Sequence, residues 1–262
     1  MHTHSIAHNV IELNMSGGID NTYERWVQFR KPIGKLLFDN NVKNTFPSHP
    51  SKQYNKLNPP TEYAEAKYER ALADVHSLVN RFFVIFIAIT GSVATGNATE
   101  DDDIDFFAVV RDHTAWIYRL WLYGRNLFNR KLNKKSLRNS KDRLCINFIV
   151  EERALTFAQH DLFTLNEILQ MIPVYNRNFY NRILTANAWL TTDFKIRMDT
   201  DRNPDRHALK KYFFLLLAPV NWLAFILQLA FMAISRHNPE YKRLFKNTFR
   251  GTIEFWPSQR RH

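Results

Sequence analysis

A single cysteine, Cys145, among 262 residues excludes an internal disulfide and any cysteine-rich metal centre. It is compatible with a reducing compartment. Acids are also scarce, with 25 Asp and Glu against 36 Lys and Arg, a formal net charge of +11 and a pI near 9.8. That excess points to an anionic partner: a nucleoside triphosphate, a nucleic acid or an anionic membrane surface. Charge alone does not choose among them. The ten histidines include no HExxH motif of a metalloprotease. No apolar core of a secretory leader is visible in the opening MHTHSIAHNVIELNMSGG, so a cytoplasmic location is expected. Internal repeats and low-complexity segments are absent. What is plentiful is apolar mass, 45% of the residues with 21 Phe and 6 Trp, so the chain can bury a substantial core.

The organisation reads in three parts: an N-terminal extension over residues 1–60, partly irregular; a core over 61–160; and a helical region over 161–262 packed on that core. Within the extension, Trp26, Phe29, Ile33, Leu36 and Leu37 outline a docking segment, and Pro47, Pro50, Pro59 and Pro60 mark an extended loop. Helical spacing predicts a helix from Thr61 to Val79 and another from Thr114 to Phe128. Apolar runs predict strands at Arg81–Thr90, Asp103–Val110 and Leu144–Val150. On the last of these, strict alternation places Leu144, Ile146, Phe148 and Val150 on one face and Cys145, Asn147, Ile149 and Glu151 on the other. Further helices are predicted at Phe163–Met171 and Phe179–Leu190. The segment from Arg119 to Arg143 is strongly basic and reads either as a phosphate-facing surface or as a solvated loop. Tyr212–Ile234, YFFLLLAPVNWLAFILQLAFMAI, is twenty-three residues without a charge. Its length meets the criterion for a membrane span. Pro219, Asn221 and Gln228 favour a buried helix instead, split or kinked at the proline, with attachment to an anionic membrane surface through 212–234 as the alternative.

One stretch carries chemistry. From Phe83 to Val110 an apolar strand breaks at Gly91-Ser92, passes a small polar loop, and re-enters an apolar strand that contains Asp103-Ile104-Asp105. Residues two apart on a strand share a face, about 6–7 Å apart. Two carboxylates that close repel unless a cation lies between them, and all-oxygen ligands suit Mg²⁺ or Mn²⁺. Gly91 lets a backbone approach a triphosphate without a Cβ in the way, and Ser92 offers a hydroxyl. Gly91 and Ser92 are therefore candidates for holding a nucleoside triphosphate, and Asp103 and Asp105 candidates for catalysis and metal. Arg119, on the helix after the second strand, is a further candidate for the phosphates.

Gly91-Ser92 followed by Asp103-Ile104-Asp105 resembles the signature hG(G/S)…Dh(D/E)h of the DNA polymerase β-like nucleotidyltransferase superfamily. AITGSVATGNATEDDDIDFFAVV, with AWIYR and LCINF further on, is similar to bacterial nucleotidyltransferase-domain proteins. The resemblance implies an α+β fold: a small mixed nucleotidyltransferase sheet flanked by helices over 61–160, with a helical C-terminal region. It implies transfer of a nucleoside monophosphate from an NTP such as ATP to an acceptor, with two Mg²⁺ ions and release of pyrophosphate. The acceptor is left open among small molecules, RNA and protein. Members of the superfamily usually carry a third carboxylate on a neighbouring strand. Here that strand is LCINFIV, and the residue expected on the catalytic face is Asn147, an amide that can ligate a metal but cannot act as a base. The alternative reading is thus a catalytically degenerate protein of the same fold that binds a nucleotide or RNA, or a protein attached to a membrane surface.

Overall fold

The computed structural model describes residues 60–132, 144–160, 162–193, 214–234 and 241–254. The expected N-terminal docking segment, the loop half of the basic segment, and the tail after Glu254 lie outside the described residues. Thirteen elements follow in chain order: α1 (Glu62–Asp74), β1 (Val84–Thr90), α2 (Gly91–Thr95), β2 (Ile104–Val110), α3 (Ala115–Leu132), β3 (Leu144–Glu151), α4 (Leu162–Gln170), β4 (Ile172–Tyr175), α5 (Tyr180–Ala186), α6 (Trp189–Thr192), α7 (Ala218–Ile234), α8 (Tyr241–Arg250) and β5 (Thr252–Glu254).

The five strands form one sheet in the order β4-β1-β2-β3-β5, with β2 and β3 parallel and every other pair antiparallel. This is the mixed sheet flanked by helices expected for an α+β protein. Its two middle strands, VIFIAIT and IDFFAVV, are apolar at nearly every position because both faces are covered. Ile87, Ile89, Ile104, Phe106 and Ala108 face one layer, built from α1, α3, α7 and α8. Phe86, Ala88, Phe107 and Val109 face the other, built from α4, α5 and α6. Period-two alternation therefore divides one set of strands between two separate cores.

Three expectations change. Strict alternation along β3 fails because its register against β2 shifts between the pairs Phe106–Ile146 and Phe107–Phe148, leaving Asn147 as the extra residue of a bulge. Leu144 and Ile146 consequently pack with the first core, whereas Phe148 and Val150 belong to the second. The predicted helix Phe179–Leu190 is broken at Asn187, whose buried side chain donates to the carbonyls of Leu155 and Ile183 and accepts from the Phe157 amide and the Trp189 indole. Such a fully used amide holds the chain better in a break than in a helix. Finally, the apolar run is split ahead of Pro219 and not at it: Phe214 and Leu215 are helical, Leu216 and Leu217 form a turn, and α7 begins at Ala218, so the proline falls in its first turn, where it disturbs no hydrogen bond.

Residues beyond 160 also supply two strands to the same sheet. β4, IPVY, gives little signal in the sequence because it has four residues and a proline; as an edge strand it tolerates Pro173. β5 closes the other edge on β3. Among the described residues no helix is long and apolar enough to cross a membrane.

Candidate active site

The site begins where β1 ends. Thr90 pairs with Asp105 across the antiparallel β1–β2 ladder, which brings the Gly91 turn and the Asp-x-Asp segment side by side. Gly91 has φ +67°, in the left-handed region that strains any L side chain. A Cβ built on it would lie 2.8 Å from Asp105 Oδ2 and 3.4 Å from Asp105 Cβ. Glycine is thus required twice, by backbone conformation and by the carboxylate packed against it. Ser92 follows, half-buried, in the single turn of α2.

The loop between α2 and β2 is tied to α1. Thr61 caps α1 by accepting from the Ala64 amide, and its hydroxyl donates to the Ala98 carbonyl at 2.6 Å. The buried ammonium of Lys67 donates to the carbonyls of Glu100 (3.1 Å) and Asp102 (2.8 Å). Asp102 in turn accepts from the Thr99 amide. These bonds hold the backbone just ahead of Asp103, which is exposed and precedes the strand expected to start with it, while Asp105 is half-buried as the second residue of β2. The acids Glu100 and Asp101 are exposed, as a charged lead-in would be.

A residue that the motif reading does not single out completes the cluster. Glu167, on α4, accepts a hydrogen bond from the Gly91 N–H and lies close enough to Asp105 for the two charges to repel. Burial, with the nearby Asp105 carboxylate second, pushes the Glu167 carboxyl up from 4.5 to about 7, against the opposing pull of the Gly91 amide. α4 reads LFTLNEILQ, in which Leu165, Ile168 and Leu169 are core and Glu167 is the sole acid. The sole acid on a short helix with an apolar face was the available signal. The strand expected to bring the third acid, β3, brings Asn147 at its bulge; the Asn147 side chain lies outside what the structure describes.

Arg119 is placed elsewhere, which corrects its assignment to the phosphates. Its guanidinium is buried, donates to Gln228 Oε1 (3.0 Å) and the Tyr123 hydroxyl (2.7 Å), and stacks over Trp116 and Tyr123. Burial lowers it to about 10, and Tyr123 opposes that shift. Arg119 therefore joins α3 to α7, in the layer on the other side of the sheet from α4.

A cleft of about 400 Å³ opens beside Glu167, between the sheet and α4. Thr90 and Glu167 line one part of it; Phe107, Phe148 and Phe157 make an aromatic wall, edge-to-face between Phe107 and Phe148 and tilted at Phe157; Arg153 and Arg250 add positive charge. A pocket with an apolar aromatic wall and a few convergent charged groups is the usual form of a small-molecule site.

Hard-oxygen donors suit a divalent cation, and Asp103, Asp105 and Glu167 supply only oxygen. Among the described residues no group of three or more His, Cys, Asp or Glu could hold a metal ion. The donor set therefore fits Mg²⁺ in its ordinary protein mode, with one or two carboxylates and the remaining positions taken by substrate phosphates and water.

Residues 69–167 match the family model of the nucleotidyltransferase domain, consistent with the polymerase β-like superfamily. That span starts within α1, covers the Gly91 turn and Asp103-Ile104-Asp105, and ends on Glu167. No curated protein and no solved structure matches the chain.

Proposed function

We propose that the nucleotidyltransferase domain of residues 69–167 transfers a nucleoside monophosphate from a Mg²⁺-bound NTP, ATP among them, to an acceptor seated in the cleft beside Glu167. The observation that carries this reading is the convergence of Gly91, Asp105 and Glu167 at the junction of β1, β2 and α4. Asp103 and Asp105 hold the metal. The turn at Gly91-Ser92 lets the triphosphate come against backbone. Glu167 provides the third carboxylate, from a helix instead of a strand. When bound, the divalent ion neutralises charge that develops on the departing pyrophosphate. The aromatic wall of Phe107, Phe148 and Phe157 suits a base or another flat ring, and Arg153 and Arg250 suit an anionic group. The acceptor class, whether small molecule, RNA or protein, is left open by these features.

A second reading is a protein that binds the nucleotide without turnover, favoured by the lack of a three-ligand metal group among the described residues. Calorimetry of Mg²⁺·NTP binding, with wild type and Asp105→Asn, tests what the two readings share. A loss of about tenfold or more is expected in the variant, and equal binding would overturn both. Pyrophosphate release in the presence of an acceptor panel then separates turnover from binding.

A further inference from the structure

The outer surface of α7 is built the wrong way round for water. A helix on the surface of a globular protein turns its polar residues outward. In α7 the two polar residues of the run point inward. Asn221 Oδ1 accepts from the Trp116 amide at 2.9 Å and the Ile117 amide at 3.3 Å. Gln228 donates to the Trp116 carbonyl and accepts from Arg119. Both amides are buried, beside Ala224, Phe225 and Met232. Facing out are Val220, Leu223, Ile226, Leu227, Phe231 and Ile234, with Phe231 66% and Ile234 81% exposed. Leu215 and Leu216 continue the face ahead of the helix, and Leu216 is 74% exposed.

α8 extends this surface and adds charge. Phe245 and Phe249 are exposed and pack on Trp222, which joins the two helices into one aromatic and aliphatic patch. α8 itself reads YKRLFKNTFR, four cations and no acid in ten residues, and Lys246 and Arg250 are exposed. A wide apolar face bordered by cations is the composition of a helix that lies in a membrane interface. A second copy of the chain fits less well. Closing two such faces on each other by a twofold axis would set the cationic borders of the two copies together.

We propose that α7 and α8 form a docking surface for an anionic lipid bilayer. The outward residues of α7 enter the boundary between headgroups and acyl chains, and Lys246 and its neighbours meet the lipid phosphates. α7 lies along the interface and does not span it. This goes beyond nucleotidyl transfer and holds whichever reaction the carboxylates perform.

The test is co-sedimentation of the full chain with vesicles of phosphatidylcholine alone and of phosphatidylcholine with about 30% phosphatidylglycerol, at low and high salt. Binding to the anionic vesicles is expected, weakened by salt, and weakened about fivefold by removal of one cation near the surface, as in Lys246→Ala. Ile226→Ser combined with Phe231→Ser should lower it tenfold or more. Both substitutions fall on exposed side chains, and an unchanged thermal midpoint verifies the fold. Equal sedimentation with and without anionic lipid would overturn the proposal. So would a concentration-dependent dimer, seen by light scattering, that the same two serine substitutions abolish while vesicles leave the protein in the supernatant.

Discussion

Glu167→Gln gives the sharpest test of the carboxylate cluster, because the expected effect has a sign, a size and a pH window. Folding moves the Glu167 carboxyl from 4.5 to about 7. Between those values the native state keeps a proton that the unfolded chain has already lost. Stability from this group is therefore full below pH 4.5, falls as pH rises toward 7, and stays at its lower level above. At about 1.36 kcal/mol per unit, the shift corresponds to a loss of about 3 kcal/mol. The carboxyl borders an open cleft, and solvent screening there brings the expected loss down to about 1–2 kcal/mol. Gln keeps an oxygen acceptor for the Gly91 amide and carries no charge. The variant should match wild type near pH 4.5 and be about 1–2 kcal/mol more stable at about pH 8, a few degrees in thermal midpoint. Urea unfolding at half-unit steps between those limits measures it. Other carboxylates tilt both proteins alike, so the difference between the two curves is the readout. Millimolar Mg²⁺ held by Asp103 and Asp105 should stabilise both proteins and reduce the pH dependence of the difference between them. Parallel curves across the whole range would refute the raised Glu167 carboxyl and, with it, the burial beside Asp105 that accounts for it.

Gly91→Ala combines a left-handed residue with a Cβ set 2.8 Å from Asp105 Oδ2. The conformation alone costs about 1–2 kcal/mol, and the displaced carboxylate should reduce nucleotide affinity well beyond what that stability loss explains, as calorimetry on the folded variant would show. Arg119→Met should behave in the opposite way. Loss of its bonds to Gln228 and Tyr123 should lower stability by about 2 kcal/mol, read from urea midpoints, with nucleotide affinity unchanged.

The legible parts of this chain are those where one side chain does one local job. Gly91, Asp103 and Asp105 stand out because they lie where two apolar runs end and begin, and the α+β class follows from their resemblance to the nucleotidyltransferase signature. β1 and β2 are readable because each is apolar over nearly all of its seven residues. The bulge at Asn147 is not, since a single inserted residue leaves no mark on composition yet exchanges the faces of everything beyond it. Glu167 escapes for a related reason. It lies far along the chain from Asp105, and only the packing of α4 over the second core brings them together. The placement of Arg119 is hidden because a helix after an acidic strand has two sides, and periodicity does not say which side meets the sheet. The short strands β4 and β5 are held by pairing with neighbours far away in sequence; neither has enough residues to announce itself.

The late arrival of β5 has a consequence for how the protein is made. The sheet edge at β3 is closed by residues about one hundred positions further on, and the Trp116 indole finds its partner, Thr248, 132 positions away. During synthesis the strand and helix that carry the carboxylate cluster therefore leave the ribosome well before α7, α8 and β5 exist to complete the sheet and its first core. Until then β3 is an open edge beside an apolar helix face, a state prone to pairing with other chains. A nascent chain halted before α7 should depend on chaperones for solubility, and the site, though complete in sequence, becomes durable only when the segment from α7 to β5 has folded back onto the sheet.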